Sequence, residues 1–78
     1  MISNPAVARQ ISEVLIECGR RLDASVAEVK SSCTEAEFIE YRAAVGRILA
    51  DMLLEVMNPL YRQHPQIKPA ELADNGRT

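Results

Sequence analysis

The chain has 78 residues, nine Lys and Arg against eleven Asp and Glu, and a formal charge of −2 with both signs interspersed. Nothing in that balance recruits a polyanion or an anionic membrane by long-range field, and one Phe, two Tyr and no Trp make a poor platform for stacking bases. A chain this short forms one domain whose core supplies only about 3–5 kcal/mol, so disulfides, a metal or self-association should supplement it.

Asn4-Pro5 is a helix start, with Asn to cap free amides and Pro in the first turn, where a missing N–H costs nothing. A first helix is predicted over about 5–30. Its apolar stripe is Val7, Ile11, Val14, Leu15, Cys18, Leu22, Val26 and Val29, opposed by a face of Arg9, Glu13, Glu17 and Arg20. Ser31-Ser32-Cys33 breaks the pattern. Thr34-Glu35-Ala36-Glu37 then reads as a capping box, with Cys33 and Phe38 placed as a hydrophobic staple. A second helix over about 34–58 should return antiparallel to the first.

The second helix is apolar around most of its circumference. At about 100° per residue its charges Glu40, Arg47, Asp51, Glu55 and Arg62 form a narrow wedge. Two seams remain. One contains Ile39, Ala43, Gly46, Ala50, Leu53 and Met57; the other contains Phe38, Tyr41, Val45, Ile48, Met52 and Val56. In a hairpin turning at 31–33, facing positions have numbers that sum to about 65, so Gly19 should meet Gly46 at a close crossing. That assigns the small seam to the first helix. Tyr41, Val45, Ile48, Met52 and Val56 are then expected to form a dimer interface in a two-fold four-helix bundle, the rival being a three-helix monomer in which the tail covers this seam with Leu60, Ile67 and Leu72. Arg42 projects between the seams, where a buried charge requires a partner. Asp23 of the same chain or Glu55 of the mate is expected to supply it, the alternatives being an anion site or a packed stem with a solvated head.

Asn58-Pro59 repeats the opening dipeptide, so the helix should kink or restart there, and Pro65 should end it. The hairpin therefore occupies 1–64 and a Pro-rich tail 65–78, with a short helical turn at Pro69-Ala70-Glu71-Leu72. Around the start of that tail and within it, Tyr61, His64, Ile67 and Leu72 have the composition of a partner contact. The simpler alternative folds Ile67 and Leu72 back across the bundle end near Ile2, Val7 and Ile11.

No nucleophile, base and orienting group assemble. His64, the one histidine, reads as solvated, and Cys18 reads as core packing. Metal-ligand spacings and Gly-rich phosphate loops are missing, so no catalytic residue, metal or cofactor is expected. The expected thiol state is reduced, and no signal peptide or spanning segment is expected, which places the protein in a cytoplasm without membrane attachment. The fold class expected is all-α: an antiparallel helical hairpin with a short Pro-rich C-terminal segment, dimerising into a four-helix bundle. The functional expectation is a non-catalytic adaptor or immunity-type binding module, with itself and another protein as partners. A nucleic-acid-binding bundle, with Arg9, Arg20 and Arg21 interrupted by Glu13 and Glu17, and an enzyme without recognisable motifs are the alternatives.

Overall fold

A computed structural model describes residues 1–69; Leu72 and the end of the expected C-terminal turn lie outside them. The described residues contain helices and no strand. Helix α1 spans Pro5–Ser32 and α2 spans Glu35–Met52. A π turn at Leu53–Met57 leads into the short helix α3, Asn58–Gln63, and a 3₁₀ turn follows at Pro65–Ile67. Among the described residues no helix is long and apolar enough to cross a membrane.

Both helix starts follow from their capping chemistry. The Asn4 side chain accepts from the amides of Ala6 at 2.9 Å and Val7 at 3.2 Å. At the second start, the Glu37 amide donates to Thr34 Oγ1 at 3.2 Å and the Thr34 amide donates to Glu37 Oε1 at 3.0 Å. Each bond satisfies an amide that the first helical turn leaves without a partner. Of the two staple residues Cys33 is exposed and Phe38 is half-buried. Phe38 receives Arg42 over its ring at 5.2 Å and Lys30 from the end of α1 at 5.7 Å. Two such contacts tie the turn end of the hairpin together by about 0.5–1 kcal/mol each at an exposed site.

The α1–α2 packing reverses the expected seam assignment. Val45 is buried, and Phe38, Tyr41, Leu49, Met52 and Val56 are half-buried on the side of α2 that meets α1. Ile39, Ala43, Gly46, Ala50 and Leu53 face outward. Gly19 lies against Leu49, whose Cδ2 would be 3.7 Å from an added Cβ, and among the described residues nothing stands within 4 Å of a Cβ at Gly46. The glycines therefore do not meet. The reason is energetic: large side chains remove more apolar area from water, at about 25 cal/mol per Å², than a seam centred on Ala and Gly can. Tyr41 also gains a polar anchor. The Ser25 hydroxyl donates to the Leu22 carbonyl at 2.7 Å, so it is left to accept from the Tyr41 hydroxyl at 2.8 Å.

The core lies at the end of the molecule away from the α1–α2 turn. Ala8 and Leu60 are wholly buried, joined by Met57, Tyr61 and Ile67, with Ile2, Ile11, Leu15 and Ile16 packed around them. Within it Ser12 and Tyr61 form a buried polar pair and share a hydrogen bond.

Candidate interaction surface

The π turn decides which side chains reach this core. In a regular helix Val45, Leu49, Met52 and Val56 recur at intervals of three or four along one face, and Met57, Leu60, Tyr61 and His64 belong to a face about 100° away. The Asn58 amide bonds to the Leu53 carbonyl, five residues back rather than four. One extra residue in a turn sets the following residues back by about 100° and brings the second set onto the side facing α1. The same opening precedes Pro59, whose ring would clash with the carbonyl four residues back in a continuous α-helix. Asn58-Pro59 therefore neither ends the helix nor restarts it after a break: the chain passes through the π turn directly into α3.

Tyr61, His64 and Ile67, considered as partner contacts from the sequence, are buried within the chain instead. His64 is 7% exposed, and its Nε2–H donates to the Ile2 carbonyl at 2.6 Å. Beside it the Met1 ammonium donates to Gln63 Oε1 at 2.9 Å. These bonds hold the N-terminal residues across α3, so the solvated reading of His64 is corrected. Its imidazole ties two segments 62 positions apart in sequence. Cys18, expected in the core, is exposed, as are Val7 and Val14 of the same expected stripe and Cys33 at the turn, and both thiols are free.

The ion pair expected within the chain, Arg42 with Asp23, is not formed. Arg42, Asp23 and Glu55 are all exposed, and the Arg42 guanidinium rests over Phe38 rather than against Asp23. A packed stem with a solvated head removes the need for a buried counter-ion. Among the described residues the one ion pair is Arg20 with Glu17, on the solvated face of α1.

Of the five residues expected at a dimer interface, Val45 is inside the hairpin and Tyr41, Met52 and Val56 are half-covered by α1. Ile48 alone is strongly exposed, at 48%. It lies two turns along from Tyr41, on the flank carrying the Ser25–Tyr41 bond. The larger exposed apolar area of α2 is elsewhere. Ile39 is 49% exposed, Leu53 38% and Leu54 62%, with Ala43, Gly46 and Ala50 exposed between them. Leu53 also borders an open cleft of about 320 Å³ between α1 and the α2–π junction, lined by Leu15, Gly19, Leu49, Met52 and Met57 and rimmed by Arg20 and Asp23. The absent side chain of Gly19 leaves part of that space. This surface, an apolar helix face continuous with an apolar cleft, is the candidate functional site.

The face was visible in the sequence as the small seam, but Leu54 was not assigned to it. Leu54 follows Leu53 directly, and both are exposed where the chain enters the π turn. No protein-family model, no curated protein and no solved structure matches the chain.

Proposed function

We propose that the protein is a small cytoplasmic interaction module, without catalytic activity of its own, that self-associates through the outward face of α2 and offers its remaining surface to another protein in the manner of an adaptor or inhibitor. The observation that carries this reading is the apolar face itself. Ile39, Leu53 and Leu54 are exposed large hydrophobics on one helix, and few of the described side chains are fully buried. Contiguous exposed apolar surface rimmed by charge marks a contact with another macromolecule. Two hairpins packed on these faces form a four-helix bundle, and the broad side of the molecule, 44 by 28 Å, has room for the ~800 Å² per partner of a standard interface. Free, exposed thiols at Cys18 and Cys33 fit a reducing compartment.

Sedimentation equilibrium across a wide concentration range tests the assembly. The wild type should sediment as a dimer, and Leu54→Asp should shift it toward monomer. Ile48→Asp, on the other flank of α2, should leave it dimeric. A wild type that remains an 8.7 kDa monomer at every concentration overturns the reading. Co-purification from the native host tests the second half, a protein partner being the expected outcome and bound nucleic acid the contrary one.

A further inference from the structure

The cleft between α1 and the α2–π junction has one further lining residue, Pro69, the last of the described residues. Its walls are apolar: Leu15 and Ile16 from α1 and Leu49 and Met52 from α2 are half-buried there, and Met57 is buried. The space, about 320 Å³, is roughly ten times a water's ~30 Å³ share of liquid volume, and water held against hydrocarbon lacks the two to four polar partners it needs. An apolar side chain suits it better.

The chain itself delivers one to that place. Ile67 is 8% exposed, and Lys68 is extended at φ −66°, ψ 126°, as a residue before proline must be. The chain therefore leaves its buried anchor in a set direction, and Pro69 arrives half-buried at the edge of the cleft. In residues 70–78, AELADNGRT, Leu72 is the one large apolar side chain. It follows Pro69 by three residues, so its Cα lies within about 11 Å of the Pro69 Cα even in a fully extended chain, and about 5 Å in the helical turn expected there. In such a turn the two residues share a face. From this we infer that the C-terminal segment folds back onto the chain's own cleft and seats Leu72 between α1 and α2, in the space that the missing side chain of Gly19 leaves. The seat is separate from the self-association proposed above, since it covers the cleft and leaves Ile39 and Leu54 free for another chain. A foreign apolar side chain then reaches the cleft only by displacing Leu72.

Disulfide trapping tests the seat in full-length chains at high dilution, with Cys18 and Cys33 replaced by serine. Leu72→Cys paired with Gly19→Cys on the α1 wall, or with Leu53→Cys on the α2 rim, should close under mild oxidation at monomer mobility, because a disulfide requires Cα atoms within about 7 Å. A side chain fits at Gly19, where the added Cβ stands in ordinary contact, 3.7 Å from Leu49 Cδ2. Leu72→Cys paired with Ile39→Cys, about 21 Å of helix before Leu53, should not close. If all three pairs close at one rate, the segment samples the surface without a seat and the inference is overturned. Closure of neither cleft pair overturns it too, and linkage at dimer mobility gives the cleft to a second copy instead. A noncovalent readout needs no cysteine: Leu72→Asp should raise the fluorescence of anilinonaphthalene sulfonate, a probe of exposed apolar surface, severalfold over the wild type with the far-UV circular dichroism retained. Equal fluorescence from the two chains likewise overturns the seat.

Discussion

Changing the number of residues in the π turn should have opposite consequences for deletion and insertion. Removing Glu55, which is exposed, turns the Asn58 amide to Leu53 carbonyl bond into an ordinary α-helical one. Leu60, Tyr61 and His64 keep their orientation, because the turn loses the residue by which it exceeds an α turn. Pro59 must be replaced first, since in a plain helix its ring costs ~3 kcal/mol against the carbonyl four residues back. In a Pro59→Ala background the deletion should therefore stay within about 1 kcal/mol of its parent, as an exposed change away from special features does. Inserting one Ala between Val56 and Met57 does the reverse. It rotates the rest of the chain by a further ~100° and carries Met57, Leu60 and Ile67, all at 8% exposure or less, out of the core. At about 1.5–3 kcal/mol for each buried side chain the loss is roughly 5–9 kcal/mol. That exceeds the ~3–5 kcal/mol a core of this size supplies. Urea denaturation followed by far-UV circular dichroism, with near-UV signal from Tyr61, should show a cooperative transition for the deletion and none for the insertion. If the two variants are equally destabilised, the π turn is not a one-residue phase correction and the argument fails.

The buried hydroxyl pair should be coupled: Tyr61→Phe leaves Ser12, 3% exposed, without its partner and should cost about 1–3 kcal/mol, while Tyr61→Phe with Ser12→Ala recovers part of the loss in a double-mutant cycle. Thr34→Ala breaks the capping box and should lower the urea midpoint by the equivalent of about 0.5–2 kcal/mol. Gly46→Ala should stabilise the hairpin by about 0.5–1 kcal/mol, since helical propensity rises and no described residue is crowded by the added methyl group, and an unchanged or lower urea midpoint would refute this.

Helix starts were legible in the sequence because capping is local. Asn4-Pro5 and Thr34 through Glu37 carry their own chemistry, and the structure closes both with the expected bonds. The two seams of α2 were legible as well, but periodicity gives their angular separation and not which neighbour covers each. A pair of glycines suggested the small seam for α1, and the larger buried area of Val45, Leu49 and Met52 outweighed it. The π turn left a fainter sign: Val56 and Met57 are adjacent apolar residues that one straight helix cannot turn to the same side, and Asn58-Pro59 follows at once. His64 was misread because its partner, the Ile2 carbonyl, is a backbone group at the far end of the chain, which no side-chain pattern records.

The two ends of the hairpin are held by different means, and the middle is held least. At one end lie the fully buried side chains Ala8 and Leu60, with the His64 bond to Ile2 and the ammonium bond to Gln63. At the other, the capping box and the two cations over Phe38 fix the turn. Between them Val45 is the buried residue of α2, and helices that bury one stripe each leave a single layer where stable domains have two. The outward face of Ile39 through Leu54 spans this same middle section. Under the proposed self-association, a second copy laid across it would supply the missing layer and couple association to the stability of the α1–α2 packing by mass action. It follows that the α1–α2 section should lose its amide protection against hydrogen exchange on dilution before the Leu60 core does, a concentration dependence that a monomer stable by itself would not show.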